Sequence, residues 1–533
     1  MKNIIIIAAL FVSASLTACY DTEDKYDAPK EMALVGGIEE VYNLVALEDV
    51  LYIDPQVEMT DPGDPLEYLW SMYPYEYSTE SHISDFERPI VSTDPVLDYP
   101  VVAKPGKYTL EVRITNTATR QEIYKTTVLN ISNNFTEGWY MLKEIDGATD
   151  MDLHRPDNVL MADVIYNIQG KRLPGTPNSM MYIAKYAYLD RETATFVTTP
   201  TLNVSTKETF SIIDVTTLME IYGHDTMFYH GEPKQEESLF SCPAMYGLNY
   251  FSDKGVYFTG YDVLWGTPNS SSMFGYVTPI TGGCRPNINI INDEYFTYFF
   301  DEKNKRILYT DYNGGLYAKS RAAQGGSIPD VDPNNIEGDV LFFGRNVIGS
   351  NTPIALLLMQ HPTDQAKRTL YMMEIPFYGD RISTNTFKWG YDITGLKLNN
   401  ATLFANDELL STSLFYVADN KVYAYRININ GTPGFEEPLT LEGLGAGEQI
   451  TYIKNMYYNG TPADSRFNYL AVGTYSNGNY KVYLYTLTAG YPVGAPVRIM
   501  QGEGKVLKMH LSSSILPFNT RANYVNFLYP TGY

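Results

Sequence analysis

The chain has 533 residues, of which 44% are hydrophobic and 19% are charged. This length exceeds that of one ordinary domain, so at least two cores or one large repeat architecture are expected, and the composition excludes a disordered polyelectrolyte. The 62 acidic and 39 basic residues give a formal net charge of −23, which repels phosphate backbones and excludes nucleic-acid binding as a function class.

The first residues predict an export signal peptide over residues 1–18. Lys2 provides the positive start, residues 4–12 form an apolar run, and Leu16-Thr17-Ala18-Cys19 ends the signal. The apolar run is too short to span a bilayer, and no later segment approaches the roughly 20 apolar residues that a transmembrane helix needs. The segment that ends at Cys19 resembles the lipobox of bacterial lipoproteins, which implies lipidation of Cys19 and membrane anchoring. An ordinary secreted protein is the alternative.

Residues 19–32 form an acidic tether that contains Asp21, Glu23, Asp24 and Asp27. Acidic residues directly after a lipidated cysteine resemble the surface-export signal of lipoproteins in Gram-negative bacteria that carry SusC/SusD-type nutrient importers. This resemblance implies an outer-membrane protein that faces the extracellular medium, whereas a plain solvated linker would have a similar composition.

Two further cysteines, Cys242 and Cys284, lie in a chain expected to reach an oxidising compartment. They predict either a disulfide or two separately buried thiols.

Residues 33–133 read as short strands with period-two alternation. Prolines and glycines at 61–65 and 104–107 separate them, and a strand tryptophan, Trp70, is expected in the core of a β-sandwich. The Trp70 strand followed by the segment 104–116 resembles PKD domains. That resemblance implies a spacer or protein-contact module without catalytic residues. The predicted strands are residues 41–47, 51–59, 66–72, 108–116 and 121–131.

Residues 138–533 repeat one unit, an apolar strand, a polar turn and a tyrosine-rich strand. The alternation directs one face of each strand inwards, and Asp or Asn with Gly permits the tight turn. Such repeats of about 40 to 50 residues are typical of β-propeller blades, here about seven or eight; stacked sandwiches or a β-solenoid are the alternatives. A short helix or a blade insertion is expected over 211–222, and a terminal strand over 505–511 would close the ring beside residues 139–142. The clearest repeats are residues 186–197, 299–309, 415–425 and 469–485.

The motifs of the sequence predict no enzyme, no cofactor and no metal site. The sequence contains no GxSxG, HExxH or GxxxxGK motif. His224 and His230 form the only local histidine cluster, and imidazoles six residues apart in a loop are better explained by solvation than by metal binding. Several acidic pairs could serve a glycosidase or a calcium site, but turns and solvated surface explain them better. These pairs are Asp61 and Asp64, Asp150 and Asp152, Glu236 and Glu237, and Asp301 and Glu302.

Aromatic side chains are the binding candidates, because flat rings stack on sugar faces and peptide side chains. The alternative for each ring is packing against neighbouring strands. One group lies in the insertion that follows Trp70, and the other flanks the loop 266–272. The candidates are Tyr73, Tyr75 and Tyr77 in the first group, and Tyr246, Tyr250, Tyr261, Trp265 and Phe274 in the second.

Taken together, the lipobox, the PKD-like module and the tyrosine-rich repeats resemble the PKD-like family lipoproteins of SusC/SusD-type loci. The resemblance implies a surface lipoprotein that binds an oligomeric nutrient, either glycan or oligopeptide, or docks as an accessory subunit on a SusC/SusD-like TonB-dependent importer beside other surface lipoproteins. The alternative function is a propeller hydrolase or lyase acting on extracellular polysaccharide. The ligand, the stoichiometry, the exact blade count and the disulfide state stay open.

Overall fold

The protein is described by a computed structural model. It covers residues 32–45, 49–75, 88–103, 106–190, 194–229, 240–244, 247–259, 273–292, 296–311, 314–318, 331–346, 354–374, 386–407, 410–428, 432–458 and 466–513. The chain divides into two compact units, Met1–Ser132 and Asn133–Tyr533.

The first unit is a β-sandwich. Its larger sheet has the order β2-β9-β8-β5-β6, and the pairs β1-β4 and β3-β7 form two smaller sheets. All pairings are antiparallel except that of β2 with β9. The strands are β1 Met32–Gly36, β2 Val41–Val45, β3 Val50–Ile53, β4 Gln56–Met59, β5 Leu66–Pro74, β6 Ile90–Ser92, β7 Leu97–Pro100, β8 Gly106–Asn116 and β9 Glu122–Ser132.

Trp70 occupies the centre of this unit, as predicted. Its side chain is completely buried and packs with Leu51, Leu97 and Val112, which come from three other strands. The indole Nε1–H donates to the carbonyl oxygen of Asp94 at 2.9 Å, which satisfies the one polar group that the ring brings into the core.

The second unit is a β-propeller. In the part of the chain that the structure describes, it has seven sheets, each with four main antiparallel strands. We name the strands A to D from the ring centre outwards, because the A strands of neighbouring sheets contact one another. The fold class predicted from the sequence is confirmed, with seven blades.

The first three blades follow one another along the chain, except that the A strand of blade 1 comes from the far end of the sequence. A six-residue helix, α1 (Val164–Gln169), follows blade 1. In the order A to D, blade 1 is β38 Lys505–Ser512, β10 Gly138–Ile145, β11 Ala148–His154 and β12 Leu160–Met161; blade 2 is β13 Pro177–Asp190, β14 Thr195–Thr206, β15 Phe210–Asp214 and β16 Glu220–Gly223; blade 3 is β17 Phe240–Ala244, β18 Gly247–Ser252, β19 Gly255–Phe258 and β20 Tyr276–Pro279.

The other four blades have the same order, and a 3-10 helix, Lys397–Asn400, precedes blade 6. Blade 7 also carries a short strand, β36 Tyr491–Pro492, paired with the end of its C strand. Blade 4 is β21 Pro286–Asn292, β22 Thr297–Asp301, β23 Arg306–Thr310 and β24 Leu316–Ala318; blade 5 is β25 Asp339–Asn346, β26 Ile354–Gln360, β27 Arg368–Glu374 and β28 Thr386–Asp392; blade 6 is β29 Leu403–Asn406, β30 Ser413–Ala418, β31 Lys421–Arg426 and β32 Phe435–Pro438; blade 7 is β33 Gln449–Tyr458, β34 Phe467–Ser476, β35 Asn479–Thr488 and β37 Arg498–Glu503.

A separate hydrophobic core fills each interface between consecutive blades, because successive side chains of a strand point to opposite faces of its sheet. Leu142 on β10 packs towards blade 2, whereas its neighbour Met141 packs towards blade 7. Phe299 and Phe300 on β22 divide in the same way between blades 3 and 5. Both faces of a blade are therefore buried. The sequence analysis expected only one face of each strand to point inwards, so it missed the burial of the opposite face.

The ring closes through β38, which pairs antiparallel with β10 and places Trp139 opposite Leu511. This confirms the predicted closing strand. Val506 and Met509 of β38 enter the core between blades 7 and 1 with Met141. The closure thus pairs the inner edge of β10 with a strand from the far end of the second unit and gives blade 1 its fourth strand.

The helix predicted over 211–222 was wrong. The segment forms β15 and β16, joined by a turn in which Leu218 has a positive φ of 57°. Its Ile and Thr residues are β-branched and fit a pleated surface, and β14 offers β15 a full ladder of partners. None of the helices in the described residues is long and apolar enough to cross a membrane.

Candidate functional site

The best candidate site is a polar groove at the seam between blades 7 and 1. Antiparallel strands place every B–C turn and every D–A connection at the same face of the propeller. At the seam these are the turn after β34, the turn after β10 and the connection from β37 to β38. A cavity of about 610 Å³ lies there beside a second of about 560 Å³. Both are lined by Asn477, Asn479 and Glu503, so they form one continuous depression that we call the seam groove.

Two tight turns form the rim of this groove. Asn477 and Gly478 have φ values of 51° and 85°, and Asp146 and Gly147 have 52° and 76°. Positive φ at both central residues defines the type I′ hairpin turn, for which Asn-Gly and Asp-Gly are the preferred pairs. The sequence therefore fixes the rim locally.

Most side chains that line the larger cavity of the groove are polar or charged. Leu160 and Ala162 are its only aliphatic lining side chains. The polar lining residues of that cavity are Lys143, Asp163, Glu448, Thr474, Ser476, Asn477, Asn479, Tyr480, Lys481, Gln501 and Glu503.

The groove floor is held by a buried ion pair. Lys143 Nζ lies 2.6 Å from Asp152 Oδ1 and 3.1 Å from Asp163 Oδ1, and the Lys143 and Asp152 side chains are 1% and 0% exposed. Arg172 joins the cluster through Asp163, whose Oδ1 lies 3.6 Å from the Arg172 Nη2, and the Arg172 Nε lies 3.1 Å from Asp150 Oδ2. Burial raises the pKa of the Asp150 carboxyl, and backbone N–H groups and Arg172 only partly oppose this. Two acidic side chains of one strand are thereby paired with cations inside the protein.

Tyr480 connects this cluster across the seam. Its hydroxyl donates to Asp152 Oδ2 at 2.7 Å, and His154 Nε2 lies 2.8 Å from the same hydroxyl. Because the Tyr480 hydroxyl donates its proton to Asp152, it accepts from His154, and Nε2 is therefore the protonated ring nitrogen of His154. Burial first, and then the nearby Asp152 charge, raises the pKa of Tyr480 far above its ordinary value. Tyr480 is therefore a neutral hydrogen-bonding bridge between blades 7 and 1.

Gly502 makes the bridge possible. A Cβ atom at this position would lie 2.6 Å from both Asp152 Oδ2 and the Tyr480 hydroxyl. A larger residue would have to displace the carboxylate or the phenol, so the close approach of β37 to the network requires glycine.

Glu448 is the most strongly hydrogen-bonded acid of the groove wall. It accepts from Lys481 and Thr474, each at 2.6 Å, and from the Tyr483 hydroxyl at 3.0 Å. Burial alone would raise the pKa of Glu448, but these hydrogen bonds outweigh it and hold the pKa below its ordinary value. The side chain is thus an ionised acceptor and not a proton donor at neutral pH.

The aromatic candidates predicted from the sequence do not form this site. Tyr250 and Phe274 are buried together in the core between blades 2 and 3, and Tyr73 is buried in the first unit, where its hydroxyl donates to Glu111. These three rings are corrected to core residues. Tyr75 is half-buried, with Lys107 Nζ 3.8 Å from its ring centroid. Tyr77, Tyr246, Tyr261, Trp265 and the lipidation candidate Cys19 lie outside the described residues.

Cys284 is a free, buried thiol that donates to the carbonyl oxygen of Ser252 at 3.1 Å. Cys242 pairs with Asn249, three residues along β18 from Ser252, which corresponds to about 10 Å of strand. Disulfide-bonded cysteines have Cα atoms only about 4.4–6.8 Å apart. The possible Cys242–Cys284 bridge is therefore absent from this structure, which has Cys284 as a separate thiol.

The remaining acid and histidine candidates are structural in the described residues. Asp301 is buried and accepts from the backbone N–H groups of Arg285 and Lys303, which corrects its assignment to solvated surface. His224 is buried against the rings of Phe228 and Tyr250. Within the described ranges, no group of three or more His, Cys, Asp or Glu side chains could hold a metal ion. His230, Glu236 and Glu237 lie outside those ranges.

Sequence reasoning noticed Asp150 and Asp152 but missed their partners. The hydroxyl of Tyr480 and the carboxylate of Asp152 are 328 residues apart in the sequence. The one available signal was Lys143, which directly follows the apolar residues 139–142 that were expected beside the closing strand, because a buried lysine requires an acidic partner.

Comparisons with known proteins find one family model and several solved structures. The model of the PKD-like family matches residues 19–177, which include the first unit and the start of the propeller. No curated protein matches the chain. Similar solved structures include a quinonprotein alcohol dehydrogenase-like protein from Bacteroides thetaiotaomicron, with 14% identity, 90% of this chain and 99% of that chain covered and a TM-score of 0.36.

Two further structures cover large parts of the chain. A DUF4784 family protein from Bacteroides caccae has 7% identity and a TM-score of 0.29, with 87% of this chain and 96% of that chain covered. The WD40 domain of SCAP from fission yeast has 8% identity and a TM-score of 0.32, with 62% and 75% covered.

Proposed function

We propose that this protein is a lipid-anchored surface protein of the outer membrane that binds an oligosaccharide in the seam groove. In this role it serves as an accessory subunit of a SusC/SusD-like importer and binds its ligand without cleaving it. The anchor is a lipid on Cys19, supported by the lipobox-like segment at residues 16–19. The observation that carries the binding function is the seam groove, about 610 Å³ in its larger part and lined by amide, hydroxyl and charged groups.

A glycan fits this wall better than a peptide. Sugar hydroxyls both donate and accept, and Asn479, Gln501 and Ser476 offer both roles within one cavity. Bound peptides usually gain their specificity from apolar pockets for alternate side chains. Leu160 and Ala162 are the only aliphatic side chains that line the cavity, so it offers few side chains for an apolar specificity pocket.

Binding without cleavage is supported by the state of two groove acids, Glu448 and Asp163. A glycosidase needs one carboxylic acid whose pKa is raised, so that it can protonate the leaving group. Glu448 has the opposite shift, because Lys481, Thr474 and Tyr483 hydrogen-bond to its charged form. Asp163 is paired with Lys143. These two side chains act as fixed acceptors for sugar hydroxyls.

Calorimetric titration with a library of oligosaccharides and oligopeptides tests the proposal. We expect saturable binding of at least one glycan, and a loss of affinity of about tenfold or more in the double variant Asn479→Ala, Gln501→Ala, because each lost hydrogen bond contributes about 0.5–1.5 kcal/mol. Both side chains are exposed, so the variant should fold. Asn335→Ala is the matched control, since Asn335 is an exposed amide on the D–A connection before β25, outside the groove.

Three results would contradict the proposal: binding of peptides only, an unchanged affinity in the double variant, or release of shortened glycan during incubation. The last result would favour the hydrolase or lyase alternative. Anchoring has its own test, since palmitate should label the protein and should fail to label Cys19→Ala. Docking is tested by co-purification with an importer pair from the native membrane.

A further inference from the structure

A second polar cavity lies at the seam between blades 3 and 4, and its volume is about 810 Å³. Its wall is formed by the turn between β18 and β19, the turn between β22 and β23, and the connection from β20 to β21. These are B–C turns and a D–A connection, so the cavity lies at the same face of the propeller as the seam groove. We call it the basic cleft.

Positive side chains outnumber negative ones in this cleft. The seam groove has the opposite balance, since its larger cavity is lined by three acids and two lysines. The whole chain carries a formal charge of −23, so the cleft is a local exception in an acidic protein and is the better of the two cavities for an anionic ligand. The charged residues that line the cleft are Lys254, Arg285, Lys303 and Lys305, with Asp253 and Glu302.

Lys303 provides the positive charge that is left over. Its Nζ donates to the carbonyl oxygen of Gly282 at 2.6 Å, and within the described ranges it forms no ion pair. The neighbouring Lys305, by contrast, has its Nζ 3.1 Å from Asp339 Oδ1. An ammonium group has three N–H donors, so Lys303 keeps donors for a ligand after its bond to Gly282.

Two glycines hold the Lys303 ammonium at the cleft. Gly282 and Gly283 have φ values of 80° and 76°, a backbone conformation that other residues rarely adopt. A Cβ atom at Gly283 would lie 3.2 Å from Lys303 Nζ, so the ammonium rests directly against this turn. The lysine is therefore positioned before a ligand arrives, which lowers the entropic cost of binding.

Arg285 adds a second oriented donor group. Its Nε lies 2.9 Å from Glu302 Oε2, and Glu302 Oε1 accepts from Asn287 Nδ2. Among the described residues, the two Nη groups of Arg285 have no hydrogen-bond partner. Paired guanidinium N–H donors match the oxygens of a carboxylate or sulfate, while the fixed Glu302 carboxylate can accept from a hydroxyl group.

The wall of the cleft favours a ligand with a polar body. No Ala, Val, Leu, Ile, Met or aromatic residue lines it in the part of the chain that the structure describes. We propose that the basic cleft binds an acidic oligosaccharide, whose carboxylate or sulfate group contacts Lys303 and Arg285. This site goes beyond the proposed function of the seam groove and does not depend on it.

Calorimetric titration of the full-length protein with trigalacturonate, its methyl ester and a sulfated galactose trisaccharide provides the test. The ester keeps the sugar hydroxyls and loses the charge, so we expect it to bind at least about tenfold more weakly than trigalacturonate or the sulfated sugar. Binding of either charged probe supports the proposal, and the tighter of the two identifies the anionic group. Failure of both charged probes to bind, or an ester that binds as tightly as they do, would overturn it.

Lys303→Gln and Arg285→Gln provide the second arm of the test. Both side chains are exposed, so the variants should fold, and each should bind the charged probes about tenfold or more weakly. Lys421→Gln is the matched control, because Lys421 is an exposed lysine directly after the B–C turn of blade 6 and its substitution changes the charge equally. Unchanged binding in both cleft variants, or an equal loss in the control, would overturn the proposal.

The seam-groove double variant Asn479→Ala, Gln501→Ala separates the two proposals. It should bind the charged probes as tightly as the unmodified protein, because neither residue lines the basic cleft. Loss of charged-probe binding in this variant, with retention in Lys303→Gln, would assign the acidic sugar to the seam groove and overturn the separate site.

Discussion

Acidification is expected to destabilise the propeller through His154. This side chain is 6% exposed on β11, and burial first, then the charges of Arg498 and Lys143, lowers the pKa of its imidazole from 6.5 to about 4. An unfolded chain titrates the same group near its ordinary value of about 6.5. The unfolded state therefore binds a proton that the folded state excludes, so the free energy of unfolding falls as the pH falls through this interval.

The pH window and the magnitude follow from these two pKa values. The stabilising contribution of the neutral imidazole is complete above pH 6.5 and is lost as the pH falls to about 4. One pH unit across this window corresponds to about 1.4 kcal/mol for a single proton, which gives a total of about 3 kcal/mol. This would be a large part of the roughly 5–15 kcal/mol by which folded proteins are usually stable.

Denaturant unfolding at a series of pH values, for the protein and for His154→Gln, measures the effect. Glutamine can still hydrogen-bond to the Tyr480 hydroxyl but does not titrate. The carboxylates titrate in both proteins, so the difference between the two unfolding free energies isolates His154. Wild type should lose about 3 kcal/mol more than the variant between pH 6.5 and pH 4. Parallel curves, or an imidazole that titrates near its ordinary pKa in the folded protein, would refute this account of the seam.

Two further outcomes follow from the buried groups. Lys143→Met should lower the free energy of unfolding by about 3–5 kcal/mol, because Asp152 would stay buried without its cation. Lys481→Met, at a lysine whose side chain is 42% exposed, should lower it by about 1 kcal/mol or less. Equal losses of the two variants in chemical denaturation would contradict this prediction. Burial first, and then the charges of Asp301 and Asp253, raises the pKa of the Cys284 thiol to about 12. Cys284 should therefore resist iodoacetamide at mildly alkaline pH in the folded protein and react only after unfolding. Rapid labelling of Cys284 in the native protein, measured by mass spectrometry, would disprove this prediction.

Local patterns were sufficient to predict the class of fold. The strand around Trp70 and the turn signals beside it specify a sandwich core through short-range alternation, and the ring of Trp70 is fully buried as expected. The hairpin of β34 and β35 likewise follows from its alternating tyrosines and its Asn477-Gly478 turn. Each of these features depends on residues close together in the chain, which is why one sequence can specify them.

The same alternation misled the choice of binding residues. Tyr250 was a candidate because it stands in a tyrosine-rich strand, but both faces of a propeller blade pack against neighbouring blades, so a ring on either face is buried. Strand β26, Ile354–Gln360, is buried at every position for this reason. An aromatic strand therefore indicates core in this architecture more often than a ligand platform.

The seam groove depends on contacts that no local pattern contains. Strand β38 lies more than 350 residues after β10 in the chain, yet it pairs with it to complete blade 1. This one pairing supplies Val506 to the core between blades 7 and 1 and directs Lys508 into the central channel. It also brings blade 7, with Tyr480, against Asp152 of blade 1, which forms the floor of the groove. Ring closure is thus the physical event that creates the seam groove, and a chain that fails to close should lose this site.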